Sequence, residues 1–182
     1  ASACCCNRMI SPKTAALRTL AEAPRLLAQD RADRSDFLRA FYRRYDGAPV
    51  DLSACVINIY SNGGTAPPST IISLTGTVAD NDVFVLCNGN FSDPSLCDDT
   101  GNAFWNGDDA VELACLGTPL DVIGQIGVDP GTEWGTDPTT TKEHTLIRNG
   151  NVCAGDADGS DAFDPAAEWS GLAQDDFSDL GS

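Results

Sequence analysis

From Gly47 onward the apolar residues fall in short runs: CVINIY (55–60), STIISLTG (69–76), DVFVLC (82–87), AVELAC (110–115), LDVIGQIG (120–127) and HTLIRN (144–149). Gly, Pro, Asn and Asp separate them. Runs of this length, rich in Val and Ile and punctuated by turn residues, predict strands of an antiparallel sandwich or barrel rather than βαβ units. Upstream the pattern changes. Ser11-Pro12 is a helix-start signal, and Ala15, Ala16, Leu17, Leu20 and Ala21 follow at helical spacing until Pro24. From Asp36 to Tyr45, the residues Phe37, Leu38, Phe41 and Tyr45 recur at i, i+1, i+4 and i+8, which predicts a second helix. The change of texture at Asp46-Gly47-Ala48-Pro49 divides the chain into an N-terminal arm, 1–46, and a β-rich body, 47–182.

Charge sharpens that division. Residues 1–46 hold nine Lys/Arg against five Asp/Glu, a balance of +4, whereas 47–182 hold two against 22, a balance of −20. So acidic a body repels phosphate backbones, which excludes nucleic acid as its ligand. The basic arm suits nucleic acid, an anionic surface, its own body or a neighbouring copy's. No apolar run approaches the ~20 residues of a membrane-spanning helix.

Eight cysteines, at 4, 5, 6, 55, 87, 97, 115 and 153, occur without a CxxC pair and with a single histidine, His144. Disulfides formed outside the cytoplasm explain them better than a metal site does. Ala1-Ser2-Ala3 has the small-x-small form of a signal-peptidase site, and with Cys4 it forms a weak lipoprotein box. Together these point to a secreted, extracellular or cell-surface protein. Cys87 and Cys97 are spaced to clip one loop, while Cys55 and Cys115 lie on predicted strands. Eight cysteines allow 105 complete pairings, and spacing does not choose among them.

From Val50 to Ser182 the stretches VDLSACVINIYSNGG, NGDDAVEL, LDVIGQIGVDPGTEWG, HTLIRN and AGDADGSDAFDPAAEWSGLAQDDFSDLGS resemble the bacterial lamin-tail domain, the type found in secreted proteins and before extracellular nucleases. The resemblance implies an all-β, immunoglobulin-like β-sandwich, here with a short, helical, cysteine-rich N-terminal arm. Such domains open with a two-stranded hairpin before the VDLS segment. Arg43 and Arg44 and the helical spacing around them predict that this hairpin is replaced or remodelled.

Catalysis finds little material. A metal-dependent nuclease needs several carboxylates, a base and cations around a phosphate, and the body offers only His144, Lys142 and Arg148 beside its acids. No nucleophile elbow, phosphate loop or zinc-protease motif occurs, so the chain is expected not to be an enzyme. Asp156, Asp158, Asp161 and Asp164 alternate around Gly159 and offer hard oxygens suited to Ca²⁺, though not at EF-hand spacing. The same spacing suits Asx turns that cap backbone N–H groups. Trp105, Trp134 and Trp169 are expected in the core rather than on a sugar-binding platform.

Two functions follow. One is a structural subunit whose arm, with Phe37, Arg39, Phe41, Arg43 and Arg44 as contact residues, packs on a neighbour's sandwich. Disulfides would lock it into a homo-oligomer, polymer or filament. The alternative is an accessory binding or adhesion module directed at a surface, a carbohydrate or a partner nuclease.

Overall fold

The computed structural model describes residues 25–29, 37–41, 49–79, 82–91, 93–101, 105–152 and 154–178; of 25–29 and 37–41 the backbone alone is described. In chain order the strands are β1 (Arg25–Gln29), β2 (Phe37–Phe41), β3 (Val50–Asp51), β4 (Cys55–Tyr60), β5 (Thr70–Ser73), β6 (Thr77–Val78) and β7 (Phe84–Asn88). There follow β8 (Asp99–Gly101), β9 (Ala110–Cys115), β10 (Thr118–Ile123), β11 (Gly135–Thr136), β12 (Thr139–Thr140), β13 (Thr145–Arg148), the one-turn helix α1 (Pro165–Glu168) and β14 (Trp169–Leu172). Each of the six apolar runs after Gly47 supplies one strand, and the fold is all-β.

The strands form a six-stranded sheet, β14-β13-β1-β2-β7-β8, a four-stranded sheet, β10-β9-β4-β5, and two small ribbons, β11-β12 and β3-β6. The two larger sheets share one core. Phe84, Leu86, Leu146 and Trp169 of the first pack with Ile57, Ile59, Ile72, Val111, Leu113 and Ile123 of the second. Alternation explains β4: Cys55, Ile57 and Ile59 enter that core, while Val56 and Asn58 take the opposite, half-buried face. Burying each Ile contributes roughly 2–3 kcal/mol relative to exposure.

The five residues of β7 are all buried because both of its faces are covered. Phe84 and Leu86 join the shared core; Val85 and Cys87 pack outside it with Phe91, Cys97 and Phe177. Edge strand β10 is covered by the segment after residue 153, where the Asp156 N–H donates to Asp121 at 2.7 Å and Ile126 N–H donates to the Gly159 carbonyl. Gly155 is required there, since a Cβ would sit 2.5 Å from the Leu120 carbonyl oxygen.

The helix predicted over 36–45 is not formed at its centre, and where a two-stranded hairpin was expected to be replaced, β1 and β2 pair antiparallel ahead of the VDLS segment. Phe37–Phe41 is a strand, paired with β1 from Arg25↔Phe41 to Gln29↔Phe37 and with β7 from Phe37↔Cys87 to Ala40↔Phe84. The reason is physical. A strand flanked by partners inside a sheet reads as a nearly continuous apolar run, and FLRAF imitates an i, i+1, i+4 helical face over so short a window. The helix predicted over 11–24 lies outside the described residues, as do Arg43 and Arg44.

Candidate functional site

Sequence placed the chemistry in the acidic segment 156–164, so its carboxylates come first. Asp156 Oδ1 accepts from the Asp158 N–H at 2.9 Å, and Asp158 Oδ1 from the Ser160 N–H and hydroxyl at 3.1 and 2.6 Å. Asp164 Oδ1 accepts from Ala166 N–H at 3.0 Å and caps α1, with Pro165 at its first position. Each of these three carboxylates thus closes an Asx turn two residues long, the geometry of the turn-capping alternative. The Ser160 bonds hold the exposed Asp158 carboxyl below its ordinary range. The charge of Asp156, and less so desolvation and the Asp158 charge, raise that of Asp161. Among the described residues no three His, Cys, Asp or Glu side chains converge as metal ligands.

A capping role makes the segment insensitive to chelation. EDTA is expected to leave the melting temperature unchanged, and Asp158→Ala to cost no more than about 1 kcal/mol. Calorimetry with added Ca²⁺ and with EDTA checks this; a calcium-dependent rise of several degrees that Asp158→Ala abolishes would decide for the calcium reading.

Beneath that segment lies a contact between the larger sheets that sequence reasoning missed. The Asp121 carboxylate, on β10, is fully buried and takes both Arg148 Nη1 and Nη2, the latter at 2.9 Å. Arg148, on β13, also has Nε 3.5 Å from Glu168 and its guanidinium 4.4 Å above the Trp169 ring. A planar fork that binds carboxylate and stacks on an aromatic is work for which Lys would not substitute. The available signal was a charged residue within each of two apolar runs, LDVIG and HTLIRN, since charges are buried only when paired.

A second buried acidic group lies on the four-stranded sheet. Glu112 Oε2 accepts from Tyr60 Oη at 2.9 Å and from Asn58 Nδ2 at 2.8 Å. Desolvation, reinforced by that carboxylate, pushes the Tyr60 phenol up to about 12. Since the folded value lies above the ordinary ~10, the stabilisation is complete below pH 10 and is lost as pH rises from 10 through about 12. Ultraviolet titration of the folded protein is therefore expected to show one of its three tyrosines ionising late, and Glu112→Gln to bring that step down.

Where the chain enters β9, Asp108 and Asp109 are both buried. Asp108 Oδ1 has no hydrogen-bond partner. Asp109 Oδ1 accepts from the Asn62 N–H at 3.0 Å, and desolvation sets its carboxyl above the usual range. His144, the conceivable base, lies elsewhere and is held by its turn, with Nδ1 3.0 Å from the Lys142 carbonyl and Nε2 3.0 Å from Asp137. All three tryptophans are buried, as expected of core residues.

The cysteines resolve in part. Cys55 and Cys115 face each other across β4 and β9 and are bridged. Cys87 and Cys97 clip the loop that follows β7. Cys4, Cys5, Cys6 and Cys153 lie outside the described residues. Of the expected contact residues, Phe37, Arg39 and Phe41 are in β2, inside the six-stranded sheet. No helix among the described residues is long and apolar enough to cross a membrane. Compared with family models, with curated proteins and with solved structures, the chain matches none.

Proposed function

We propose that the chain is an extracellular, non-enzymatic assembly subunit: a lamin-tail-like, immunoglobulin-like sandwich that its N-terminal leader cross-links to neighbouring copies. The carrying observation is the pairing of Cys55 with Cys115 and of Cys87 with Cys97. Of eight cysteines, that leaves only Cys153 in the body for the three of the leader. Neighbouring cysteines rarely bridge one another, their Cα atoms being about 3.8 Å apart. On this reading Cys153 takes at most one leader thiol of its own chain, and leader thiols that remain find partners on another chain. The charge division supports the same reading, because a neighbour's N-terminal arm, +4 over residues 1–46, relieves the self-repulsion of a −20 body. The non-enzymatic part rests on engagement: Arg148 is taken by Asp121 and His144 by Asp137.

Electrophoresis and light scattering of native, unreduced protein test this. Expected are covalent multimers that collapse to one band on reduction. A Cys4→Ser, Cys5→Ser, Cys6→Ser triple variant is expected to lose them while keeping the two body disulfides. An oxidised protein that is monomeric at all concentrations overturns the reading.

A further inference from the structure

Four strands end the two larger sheets: β14 and β8 in one, β10 and β5 in the other. An open edge invites pairing with another chain, and folds blunt theirs with cover, charge or shortness. Three of the four are blunted here. β10 lies under the segment after residue 153, through the Asp156 N–H. β14 is met by the β11–β12 ribbon, its Gly171 N–H donating to Thr139 Oγ1 at 3.3 Å. β8 is three residues long and opens on Asp99, next to Asp98. β5 has neither cover nor charge. Among the described residues no strand lies on its outer side; Ile71 is 58% exposed, and Ser73 is exposed as well.

Register shows what this edge offers. The Leu74 N–H donates to the Cys55 carbonyl at 3.0 Å. Hydrogen-bonded pairs alternate along an antiparallel ladder, so Ile72 and Thr70 also turn their backbone groups to β4, opposite Ile57 and Ile59. Those of Ile71 and Ser73 point outward. The end of the strand is held in place, since the Thr75 N–H and hydroxyl both donate to Asp99, at 3.1 and 2.9 Å. Two outward residues with one between them make a self-complementary edge. A second β5 laid antiparallel, with a two-fold axis between the copies of Ile72, sets Ile71 opposite the partner's Ser73 and Ser73 opposite the partner's Ile71. Each such pair exchanges both N–H···O bonds. The Ile71 side chains of the two copies become diagonal neighbours, ~7–8 Å apart and within reach of one another.

Charge says which occupant fits. Residues 52–79 contain no Asp, Glu, Lys, Arg or His, in a chain of net charge −16. Two such chains repel one another on most approaches, and an uncharged edge is where they meet at least cost. A basic partner gains nothing there that the acidic faces do not offer better. We infer that β5 pairs with the β5 of a second copy about a two-fold axis, joining the two four-stranded sheets into one continuous sheet. The contact uses neither the leader nor its cysteines, so it stands or falls apart from the cross-linking proposed above. Four residues a side bury well under the ~1,200 Å² of a stable interface, so the pairing is weak and reversible by itself. A cross-link that already holds two copies together would strengthen it through effective concentration.

The test uses the full-length chain with Cys4, Cys5, Cys6 and Cys153 changed to Ser, which removes every thiol outside the two bridges. Sedimentation from micromolar to millimolar concentration is expected to show a monomer–dimer equilibrium that tightens with salt, as screening removes the repulsion between copies. An arm held on an acidic body by charge would weaken over the same range. Ile71→Glu replaces an exposed side chain; it is expected to weaken the dimer about ten-fold or more while near-ultraviolet dichroism stays unchanged. Amide hydrogen exchange followed by nuclear magnetic resonance reads the contact directly. Ile71 and Ser73 are expected to gain protection as concentration rises, whereas Thr70 and Ile72 are protected throughout. A monomer at millimolar concentration and high salt overturns the proposal, and so does a dimer that Ile71→Glu leaves unchanged. Protection of Ile71 and Ser73 that does not depend on concentration means that the same chain covers the edge, and overturns it too. In any of these failures, covalent multimers of the unmutated protein leave the cross-linking reading standing. An unmutated protein without covalent multimers that still dimerises through β5 removes that reading alone.

Discussion

Arg148→Ala is expected to destabilise the fold by about 3–5 kcal/mol, because it leaves the fully buried Asp121 carboxylate without its counter-charge. For a chain of this size that lowers the melting temperature by roughly 10 °C or more. The loss exceeds that of an exposed ion pair, which is worth ~0–1 kcal/mol, for three structural reasons. Asp121 and Arg148 lie on β10 and β13, in different sheets, so the pair bridges the layers across the core. Asp121 Oδ1 also accepts the Asp156 N–H, so disturbing the carboxylate frees the segment that covers edge β10. Arg148 additionally covers the Trp169 ring. Glu168→Gln is expected to change stability by no more than about 1 kcal/mol, since that carboxylate is 42% exposed and stands 3.5 Å away. Replacing both partners, Asp121→Leu with Arg148→Met, is expected to recover most of the loss, as an apolar pair removes the desolvation penalty. Thermal unfolding of the four proteins checks the ranking. A double variant as unstable as Arg148→Ala alone would mean that packing, not charge, dominates the site.

The clamp also shows what the sequence conceals. Strands announce themselves locally: CVINIY, AVELAC and HTLIRN each combine β-branched residues with bounding turns, and each is a strand. Pairings between distant segments carry no comparable mark. Cys55 meets Cys115 because β4 and β9 are neighbours in that register, a fact with no trace in a spacing of 60 residues. Asp121 and Arg148 read separately as charges in apolar runs, and only the stacking of two sheets makes them partners. The acidic segment was legible as chemistry with two outcomes, and the short i to i+2 hydrogen bonds of Asp156, Asp158 and Asp164 have the geometry of the capping one. β2 was misread for the opposite reason. Its apolar residues satisfy a helical period as well as an interior strand, and only β7 and β1 on either side decide between them.

That position in the sheet carries the remaining large effect. Removing residues 1–46 is expected to abolish cooperative folding, whereas removing only 1–24 is expected to leave it intact. The first truncation takes away β1 and β2 and opens two edges at once, on β13 and on β7. It also strips cover from a core in which Phe84, Leu86 and Leu146 are all but inaccessible to solvent. Each buried backbone group left unpaired costs ~1–3 kcal/mol. Several such groups together exceed the ~5–15 kcal/mol by which a domain is stable. The second truncation keeps every strand described and costs at most what one leader disulfide contributes, ~2–4 kcal/mol. Near-ultraviolet dichroism followed through a thermal scan reports on the buried tryptophans and distinguishes the two. A sharp transition is expected for the chain beginning at Arg25, and aggregation with no transition for the chain beginning at Gly47. If the chain beginning at Gly47 melts as sharply as the intact protein, the hairpin is dispensable to the sheet, and the slot between β13 and β7 closes by itself.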